Sequence, residues 1–366
     1  MSIILHYDQH EGLSRAIVTK DGQVLECFFE STKNPNQTGA IHHGVVDRVL
    51  GKNAFVRIAN GVTGFLNDAE GLNAGDAVLV QVKSEGRGDK GPGVTRNIAL
   101  PGVYLVHQVF GNEVYFSRRL DEARRGIADQ NIHELLEGQP GGWVIRKSSL
   151  KAPRQALEQE LHELQAYAKK LQHLPEKQAL CLPPTSVFEQ ALLMAVGEGT
   201  FEVLIEQGTD LSAATQSLKQ LRPSLIAGLK IKEAKNAFDQ GDLENFFQSL
   251  MRKKLELPGG GNVIFERTET LNLIDVNGGE RGQVVEINRE AAEVIMQHIR
   301  FRNIGGLIVI DFLKMKSRDD RDELTRHIHH LGAQDAAAGE VYGFTRMGLF
   351  EISRARRGFS LDEVLK

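Results

Sequence analysis

Two apolar segments, far apart in the chain, carry or are followed by residues of the types that bind a divalent cation. Residues 271–279 read LNLIDVNGG, and because alternate residues of a strand share a face, Asp275 and Asn277 point the same way. A second apolar segment, 307–310, is followed directly by Asp311. Two carboxylates and an amide oxygen are hard ligands that favour Mg²⁺, with Mn²⁺ as the alternative, over zinc. A cation held there would acidify water and neutralise a phosphate.

The elements around these residues bring them to one edge of a sheet. A strand over 271–276, a helix over about 287–302 and a strand over 307–310 form a strand–helix–strand crossover. Such a crossover makes the two strands parallel, so their carboxyl ends lie at the same edge, where open α/β sheets keep their sites. A single Asp after a strand is more often a turn or cap residue. The pair, Asp275 and Asp311, favours a metal site.

Residues 39–100 predict five short strands joined by glycine-rich turns, which is typical of a small Greek-key barrel, with the OB-fold as the leading candidate. Phe55 and Phe65 fall on adjacent strands, and Lys90 lies in the loop 83–93, which is too rich in glycine to be regular. Exposed aromatic rings stack on bases while lysines contact phosphates, which is how OB-folds hold single strands. Two core phenylalanines are the alternative interpretation.

The rest of the chain supplies helices and basic clusters. Leucines and alanines at helical spacing predict an amphipathic helix between Pro153 and Pro175, and apolar patches predict helices over 188–196 and 234–250. A further helix is predicted to begin at Ser317. Arginines cluster at Arg118, Arg119, Arg124 and Arg125, and again at Arg346, Arg354, Arg356 and Arg357. Such runs are usually solvated faces, but arginines beside a metal would clamp a phosphate.

Length and composition limit the class of protein. A chain of 366 residues suggests two or three folding units, and 41% hydrophobic with 25% charged residues is ordinary for a soluble protein. The net charge of −4 argues against a uniformly basic surface, though not against a local basic groove. No apolar run is long enough for a membrane helix, and the N-terminus does not read as a secretory signal. The two cysteines suit a reduced cytoplasm and exclude a four-cysteine zinc site.

Several segments resemble the ribonuclease E/G family. Its catalytic region is similar to IDVNGG at 274–279, EAAEVIMQHIRFRNIGGLIVIDFLKM at 290–315 and FTRMGLFEISRARR at 344–357. Upstream, its OB-fold and the following segment are similar to GFLN at 64–67, RGDKG at 87–91 and FSRRL at 116–120, in the same order. The resemblance covers nearly the whole chain and is most specific over 271–357.

The resemblance implies an endonuclease that cuts single-stranded RNA and leaves a 5′-phosphate and a 3′-hydroxyl, in RNA and rRNA processing or decay. The family's metal ligands match Asp275, Asn277 and Asp311. Its OB-fold, of the ribosomal S-one type, contacts RNA at positions that match Phe55, Phe65 and Lys90, and Arg118, Arg119, Arg346 and Arg354 are expected to join them. Its pocket for a 5′-monophosphate uses an Arg-Thr pair, whose best match is Arg146 with Lys147.

The fold implied by the resemblance is α+β and multidomain. An RNase-H-like subdomain would be split around an inserted OB-fold, with a 5′-sensor region and a DNase-I-like α/β catalytic subdomain. The corresponding ranges are 1–38 and 184–257 for the RNase-H-like parts, 39–100 for the OB-fold, 101–183 for the sensor region and 258–366 for the catalytic subdomain.

Four departures from the family pattern qualify this expectation. The Cys-Pro-x-Cys zinc link does not occur before Lys366, so no structural zinc and no zinc-linked dimer are expected, and oligomerisation is left open. Lys147 replaces Thr, so 5′-end sensing would be altered or lost, although a lysine could still contact a phosphate. Lys314 replaces an acidic residue of the family's DFIDM segment. The loop between Asn277 and Asn288 is shorter than the family's.

Three functions therefore compete. The first is a cytoplasmic, Mg²⁺-dependent endoribonuclease for single-stranded RNA, with Asp275 and Asp311 as its catalytic residues and no membrane association. The second is an RNA-binding protein of the same fold with weak or no cleavage. The third is a metal-dependent nuclease or phosphodiesterase that acts on DNA.

Overall fold

The computed structural model describes residues 2–117, 132–173, 178–279, 283–333, 335, 337 and 339–365. The chain divides into two compact units, Met1–Gly241 and Asp242–Lys366. The first unit opens with an antiparallel meander. Its strands are β1 (Ile3–His10), β2 (Leu13–Lys20) and β3 (Gln23–Ser31).

A closed five-stranded barrel follows the meander. Its strands are β4 (Ile41–Leu50), β5 (Asn53–Arg57), β6 (Thr63–Leu66), β7 (Ala77–Ser84) and β8 (Gly93–Thr95). They are ordered β4-β5-β6-β8-β7, and β7 pairs back onto β4 to close the barrel. Valines from these strands, including Val46, Val56, Val80 and Val94, fill the interior. This closure is consistent with the OB-fold predicted from the sequence.

A small sheet and a long helix form the next layer. The strands are β9 (Ala99–Pro101), β10 (Leu105–Gln108), β11 (Val114–Phe116) and β12 (Gly142–Ile145), and the helix is α1 (Arg154–Leu171). The apolar stripe of α1, with Leu157, Leu161 and Leu164, packs into one core with Trp143 of β12. The helix begins directly after Pro153, as predicted. A further strand, β13 (Ala179–Leu182), pairs with β4 of the barrel.

The last part of the first unit returns to the opening meander. It contains α2 (Val187–Glu198), β14 (Phe201–Glu206), α3 (Gln216–Leu221), α4 (Pro223–Ala227) and β15 (Ile231–Ala234). The sheet order is β15-β14-β1-β2-β3, in which β14 runs parallel to both β1 and β15. The predicted helix over 234–250 is wrong in its first half, because a turn with Gly241 at positive φ precedes the next helix.

The second unit is a mixed sheet covered on one face by helices. Its elements are α5 (Leu243–Ser249), β16 (Lys254–Glu256), β17 (Asn262–Arg267), β18 (Leu271–Asn277), α6 (Val284–Phe301), β19 (Gly306–Asp311), α7 (Arg318–Gly332), β20 (Gly339–Phe344), β21 (Phe350–Arg354) and α8 (Leu361–Val364). The strand order is β16-β17-β18-β19-β21-β20.

Two helices of this unit share a core with the sheet. Ile295 of α6 and Ile328 of α7 pack against inward-facing side chains such as Ile274 and Ile310. The opposite face carries exposed side chains, among them Leu273 and Leu307. Ser317 caps α7 by accepting hydrogen bonds from the first-turn N–H groups of Asp319 and Asp320, as the sequence predicts.

Candidate functional site

The two acidic residues singled out from the sequence are paired in the sheet of the second unit. Strands β18 and β19 are parallel, and Asp275 lies in register with Asp311 at their carboxyl ends. Paired residues on neighbouring strands project to the same face, so the two carboxylates are neighbours. Both side chains are exposed on the face that the helices leave open. The structure thus brings Asp275 and Asp311 together in the arrangement that the crossover argument predicts.

Asn277 is the third member of the predicted ligand set. It follows Asp275 on the same face, and its Nδ2 donates a hydrogen bond of 2.8 Å to Asp275 Oδ2 and one of 3.4 Å to Asn262 Oδ1. The amide nitrogen therefore faces the carboxylate. Coordination through Asn277 Oδ1 requires the amide to turn over, a rotation that exchanges two atoms of nearly equal size.

The donor set suits a hard cation. Among the described residues, no cluster of three or more His, Cys, Asp or Glu side chains is placed to hold a metal. The site therefore offers two carboxylates and one amide, with water to complete the shell. Mg²⁺ keeps several waters and takes one or two protein carboxylates, whereas structural zinc needs four nitrogen or sulfur ligands. The residues present fit Mg²⁺.

Asp275 and Asp311 are called the acid pair below. Side chains of helix α6 form hydrogen bonds with the chain segments on either side of this pair. The fully buried Asn288 donates a hydrogen bond of 2.8 Å to the carbonyl of Leu313 and accepts one of 3.0 Å from its N–H. Glu290 accepts hydrogen bonds of 2.9 and 3.0 Å from the N–H of Gly259, in the turn before β17. A single Asn within an apolar helical stripe is the sequence signal that could have identified Asn288.

The predicted arginine cluster of this unit is divided between the two ends of the sheet. The turn between β20 and β21 contains the exposed Arg346, and because Phe350 pairs with Ile310, this turn lies at the Asp311 end of β19. Strand β21 then runs away from the acid pair. Arg356 lies beyond its far end, where its guanidinium approaches Gly306 at the start of β19.

Arg354 does not fit the RNA-contacting role predicted for it. It points into the core and is 8% exposed. Its Nε and Nη2 donate to the Asp335 carboxylate at 2.6 and 3.2 Å, and its Nη1 donates to the Ile304 carbonyl at 3.0 Å. Burial alone would raise the pKa of Asp335, but the hydrogen bonds and charge of Arg354 outweigh it, and the net shift is downward. Arg354 is therefore a structural cation.

Two aromatic side chains lie on the outside of the barrel in the first unit. Phe55 of β5 is the register partner of Phe65 of β6, and their ring centroids are 5.5 Å apart. Both are half-buried and neither belongs to the barrel core, which argues against the core interpretation. Arg48 of β4 places its guanidinium carbon 4.3 Å from the Phe55 ring centroid. Sequence reasoning missed Arg48, because this contact depends on strand register.

The loop 83–93 brings a lysine close to these rings. It is more regular than its composition predicts, because Arg87 and Lys90 form a backbone bridge. A Cβ on Gly91 would lie 1.9 Å from the Thr63 carbonyl oxygen, so only glycine allows the loop to lie against β6. The exposed Lys90 is therefore carried next to the strand that holds Phe65.

The Arg-Lys pair predicted to sense a 5′-phosphate follows β12. Arg146 is half-buried, and its N–H donates a hydrogen bond of 2.9 Å to the Tyr104 carbonyl. Lys147 is exposed and begins a short 3₁₀ turn. The two residues follow one another directly after the end of this strand. The predicted RNA contacts Arg118 and Arg119 lie outside the described residues.

Comparison with known proteins assigns the chain to a family. Residues 99–357, most of the sequence, match the Ribonuclease E/G family. The chain therefore belongs to the Ribonuclease E/G family, as its motifs suggest. The match includes the segments that carry Arg146, the acid pair and Arg346.

Individual relatives agree with this assignment. Ribonuclease E of Nostoc sp. is 29% identical over 357 residues, which cover 93% of this chain and 50% of that protein. Ribonuclease E of Synechocystis sp. is 28% identical over 390 residues, covering 95% and 57%. Ribonuclease G of Escherichia coli K12 is 26% identical over 387 residues, covering 94% and 78%. The chain thus spans about half the length of these two ribonuclease E relatives.

Within the described part of the chain, no helix is both long and apolar enough to cross a membrane.

Proposed function

We propose that this protein is a Mg²⁺-dependent endoribonuclease that cleaves single-stranded RNA, in RNA processing or decay. The observation that carries the proposal is the in-register pair of exposed carboxylates, Asp275 and Asp311, on parallel strands within the family-matched region. Relatives named ribonuclease E and ribonuclease G support RNA as the substrate. Mn²⁺ is expected to substitute for Mg²⁺, since both are hard cations.

The residues of the site suggest how hydrolysis would proceed. Asp275 and Asp311 would hold the cation, with Asn277 as a third ligand or as a hydrogen-bond donor that fixes Asp275. A bound Mg²⁺ ion would supply positive charge against the scissile phosphate and acidify water. Water would attack phosphorus opposite the 3′-oxygen, so that the new P–O bond forms as the P–O3′ bond breaks. The proton lost by the attacking water would pass to solvent, and the leaving 3′-oxygen would take up a proton from solvent. The products carry a 5′-phosphate and a 3′-hydroxyl. Arg346, at the same edge, would contact a phosphate oxygen of the substrate.

The barrel is proposed to hold the RNA strand. Phe55 and Phe65 offer ring surface for base stacking, while Lys90 and Arg48 supply positive charge for the phosphates. The cation–π contact keeps Arg48 over Phe55, which reduces the conformational freedom that the guanidinium loses on binding.

We further propose that Arg146 and Lys147 bind the 5′-monophosphate of the substrate. Lysine replaces the family's threonine here, so a charged contact would replace a hydroxyl hydrogen bond. The position of both residues at the end of β12, with Lys147 exposed, supports this role.

Strand order supports the architecture expected from the resemblance. The sheet β15-β14-β1-β2-β3 combines an antiparallel meander with two strands parallel to β1, which is the order of an RNase-H-like sheet. We propose that 1–38 and 184–241 form this subdomain, with the barrel of 39–100 and the sensor region of 101–183 inserted. Residues 242–366 would then form the DNase-I-like catalytic subdomain, because the two units divide after Gly241 and β16 pairs with β17, so this boundary lies before the predicted one at 257.

A second candidate is an RNA-binding protein that cuts poorly or not at all. The exposed Lys314, three residues after Asp311, favours it, because it adds positive charge near the proposed cation site where the family has an acidic residue.

One gel assay separates these candidates. The purified chain is incubated with a short AU-rich single-stranded RNA, or with the matched DNA, in Mg²⁺ or in EDTA. Fragments that appear only with RNA and Mg²⁺ identify the nuclease, and a shifted band without fragments identifies the binding protein. Cleavage of the DNA strand would instead point to a DNA nuclease.

The Asp311→Asn variant assigns the cleavage to the acid pair. It is expected to shift the RNA band without cutting, while Asp322→Asn, an exposed carboxylate on α7 of the same unit, cuts normally. Cleavage by Asp311→Asn at the parental rate would show that the metal assignment is wrong.

A further inference from the structure

A buried carboxylate supports the loop between β9 and β10. Glu160 of α1 is completely buried, and its oxygens accept hydrogen bonds from three consecutive main-chain N–H groups. The donors are Val103 at 2.8 Å, Tyr104 at 2.7 Å and Leu105 at 2.7 Å. These bonds fix the conformation of the loop, because a buried N–H without a partner costs free energy.

The same loop uses its carbonyl groups to hold the segment that begins with Arg146. Arg146 Nη1 donates to the Gly102 carbonyl, and the Arg146 N–H donates to the Tyr104 carbonyl at 2.9 Å. Ser148 Oγ donates to the Val103 carbonyl. The loop 102–105 therefore lies between Glu160, which binds its N–H groups, and Arg146, which binds its carbonyls.

A buried arginine completes the arrangement. Arg222, between α3 and α4, donates through Nη1 to Glu160 Oε2 and through Nε to Glu163 Oε2 at 2.8 Å. Burial lowers the pKa of Arg222 to about 10, so it is still a cation at neutral pH. The charge of Glu160 is thereby balanced inside the protein.

The close approach of the loop to Glu160 leaves no room for a side chain at position 102. A Cβ on Gly102 would lie 2.4 Å from Glu160 Oε1. The distance between carboxylate and loop is therefore set within narrow limits, and so is the position of the carbonyl that Arg146 contacts.

We propose that Glu160 is a positioning residue for recognition of an RNA 5′-monophosphate: it fixes the loop on which the Arg146 guanidinium is anchored. This inference rests on the phosphate-binding role proposed for Arg146 and Lys147. A carboxylate with only a structural role would, when removed, lower cleavage of all RNA substrates alike. A positioning residue alters the preference between substrates that differ only at the 5′ end.

The test uses one single-stranded RNA prepared with a 5′-monophosphate and with a 5′-hydroxyl. The ratio of the two kcat/KM values is measured for the full chain and for Arg146→Ala, Glu160→Gln and Ser148→Ala. Ser148→Ala removes a hydrogen bond to the Val103 carbonyl while leaving the buried Glu160 intact, so it tests whether the position of this loop sets the ratio even if Glu160→Gln does not fold. The matched control is Glu189→Gln. Glu189 is a fully buried carboxylate of α2 that accepts hydrogen bonds from the N–H groups of Ser186 and Leu218.

The wild-type chain is expected to prefer the monophosphorylated RNA. Glu160→Gln and Ser148→Ala are expected to lower the ratio towards that of Arg146→Ala, with unchanged cleavage of the 5′-hydroxyl RNA. Combining Glu160→Gln with Arg146→Ala should lower it no further, because both act through one contact. Glu189→Gln should keep the wild-type ratio.

Two results would overturn the inference, and they are distinguishable. If Arg146→Ala lowers the ratio while folded Glu160→Gln and Ser148→Ala keep it, Arg146 senses the phosphate without help from Glu160. If Arg146→Ala keeps the ratio, or if the wild-type chain shows no preference, the proposed sensor itself is wrong and Glu160 has nothing to position.

Discussion

The side-chain amide of Asn288 forms two hydrogen bonds with the main chain of Leu313, two residues beyond Asp311. Helix α6 thereby sets the direction in which the chain leaves β19. Since Asp311 ends that strand, the contact also limits how far its carboxylate can move relative to Asp275. We expect the geometry of the acid pair to depend on this one amide.

Asn288→Ala should lower both stability and cleavage. It removes both hydrogen bonds to the main chain of the half-buried Leu313, and each such bond contributes about 0.5–1.5 kcal/mol. Denaturant unfolding measures the loss, and cleavage rates at rising Mg²⁺ report weaker metal binding. Gln297→Ala, at an exposed position of the same helix, should change neither property. Equal stability and cleavage in the two variants would show that Asn288 does not position Asp311.

Arg346→Ala should slow cleavage, whereas Arg356→Ala should not. Both arginines are exposed and carry the same charge, but Arg346 lies at the Asp311 end of the sheet and Arg356 at the opposite end. An arginine–phosphate contact is a charge-assisted hydrogen bond worth about 1.5–3 kcal/mol, so a loss of about tenfold or more in kcat/KM is expected. Equal losses in the two variants would indicate an effect of net charge rather than a local contact.

Phe65→Ala should weaken binding of single-stranded RNA by about fivefold or more, since stacking of one base on an aromatic ring is worth about 1–3 kcal/mol. Fluorescence anisotropy with a labelled RNA gives the Kd. Arg48→Ala is expected to weaken binding less, by the loss of one exposed cation. The matched control is Phe110→Ala, an exposed aromatic residue outside the barrel. A larger effect at Phe110 than at Phe65 would place the RNA elsewhere.

His298 should make the second unit sensitive to acid. Its burial, and then the charge of Arg302, lower the pKa of the imidazole to about 3. Because this pKa lies below the ordinary 6.5, stabilisation is fully present above pH 6.5 and is lost as the pH falls towards about 3. The shift is worth at most about 4–5 kcal/mol.

The pH dependence of unfolding checks this prediction. The free energy of unfolding of the wild-type chain should fall more steeply between pH 6.5 and the acid limit than that of His298→Asn. Parallel curves for the two proteins would show that His298 carries no such stabilisation.

Patterns within short stretches of the sequence predict the pairing of Asp275 with Asp311 and the existence of the barrel. The parallel pairing of Asp275 with Asp311 follows from a strand–helix–strand crossover, and the barrel follows from short strands with glycine-rich turns. Arg354 does not fit the RNA-contacting role predicted for it, because that prediction assumed that a charged side chain in a basic cluster is exposed. Its place on β21, on the same face as the buried Phe350 and Ile352, indicates a core position. The partner that makes burial tolerable, Asp335, lies elsewhere in the sequence.

Other features required the tertiary structure. The stacking of Arg48 on Phe55 depends on the register between β4 and β5, which is interrupted by a bulge. The three N–H groups that donate hydrogen bonds to Glu160 belong to residues more than fifty positions earlier in the chain. No local pattern marks either contact, because both are set by packing between separate elements.

Titration with Mn²⁺ in a calorimeter shows whether Asp275 and Asp311 together bind one divalent cation. We expect one bound ion per wild-type chain, and loss of that binding in both Asp275→Asn and Asp311→Asn with unchanged circular dichroism. Retention of the bound ion in either variant would contradict it.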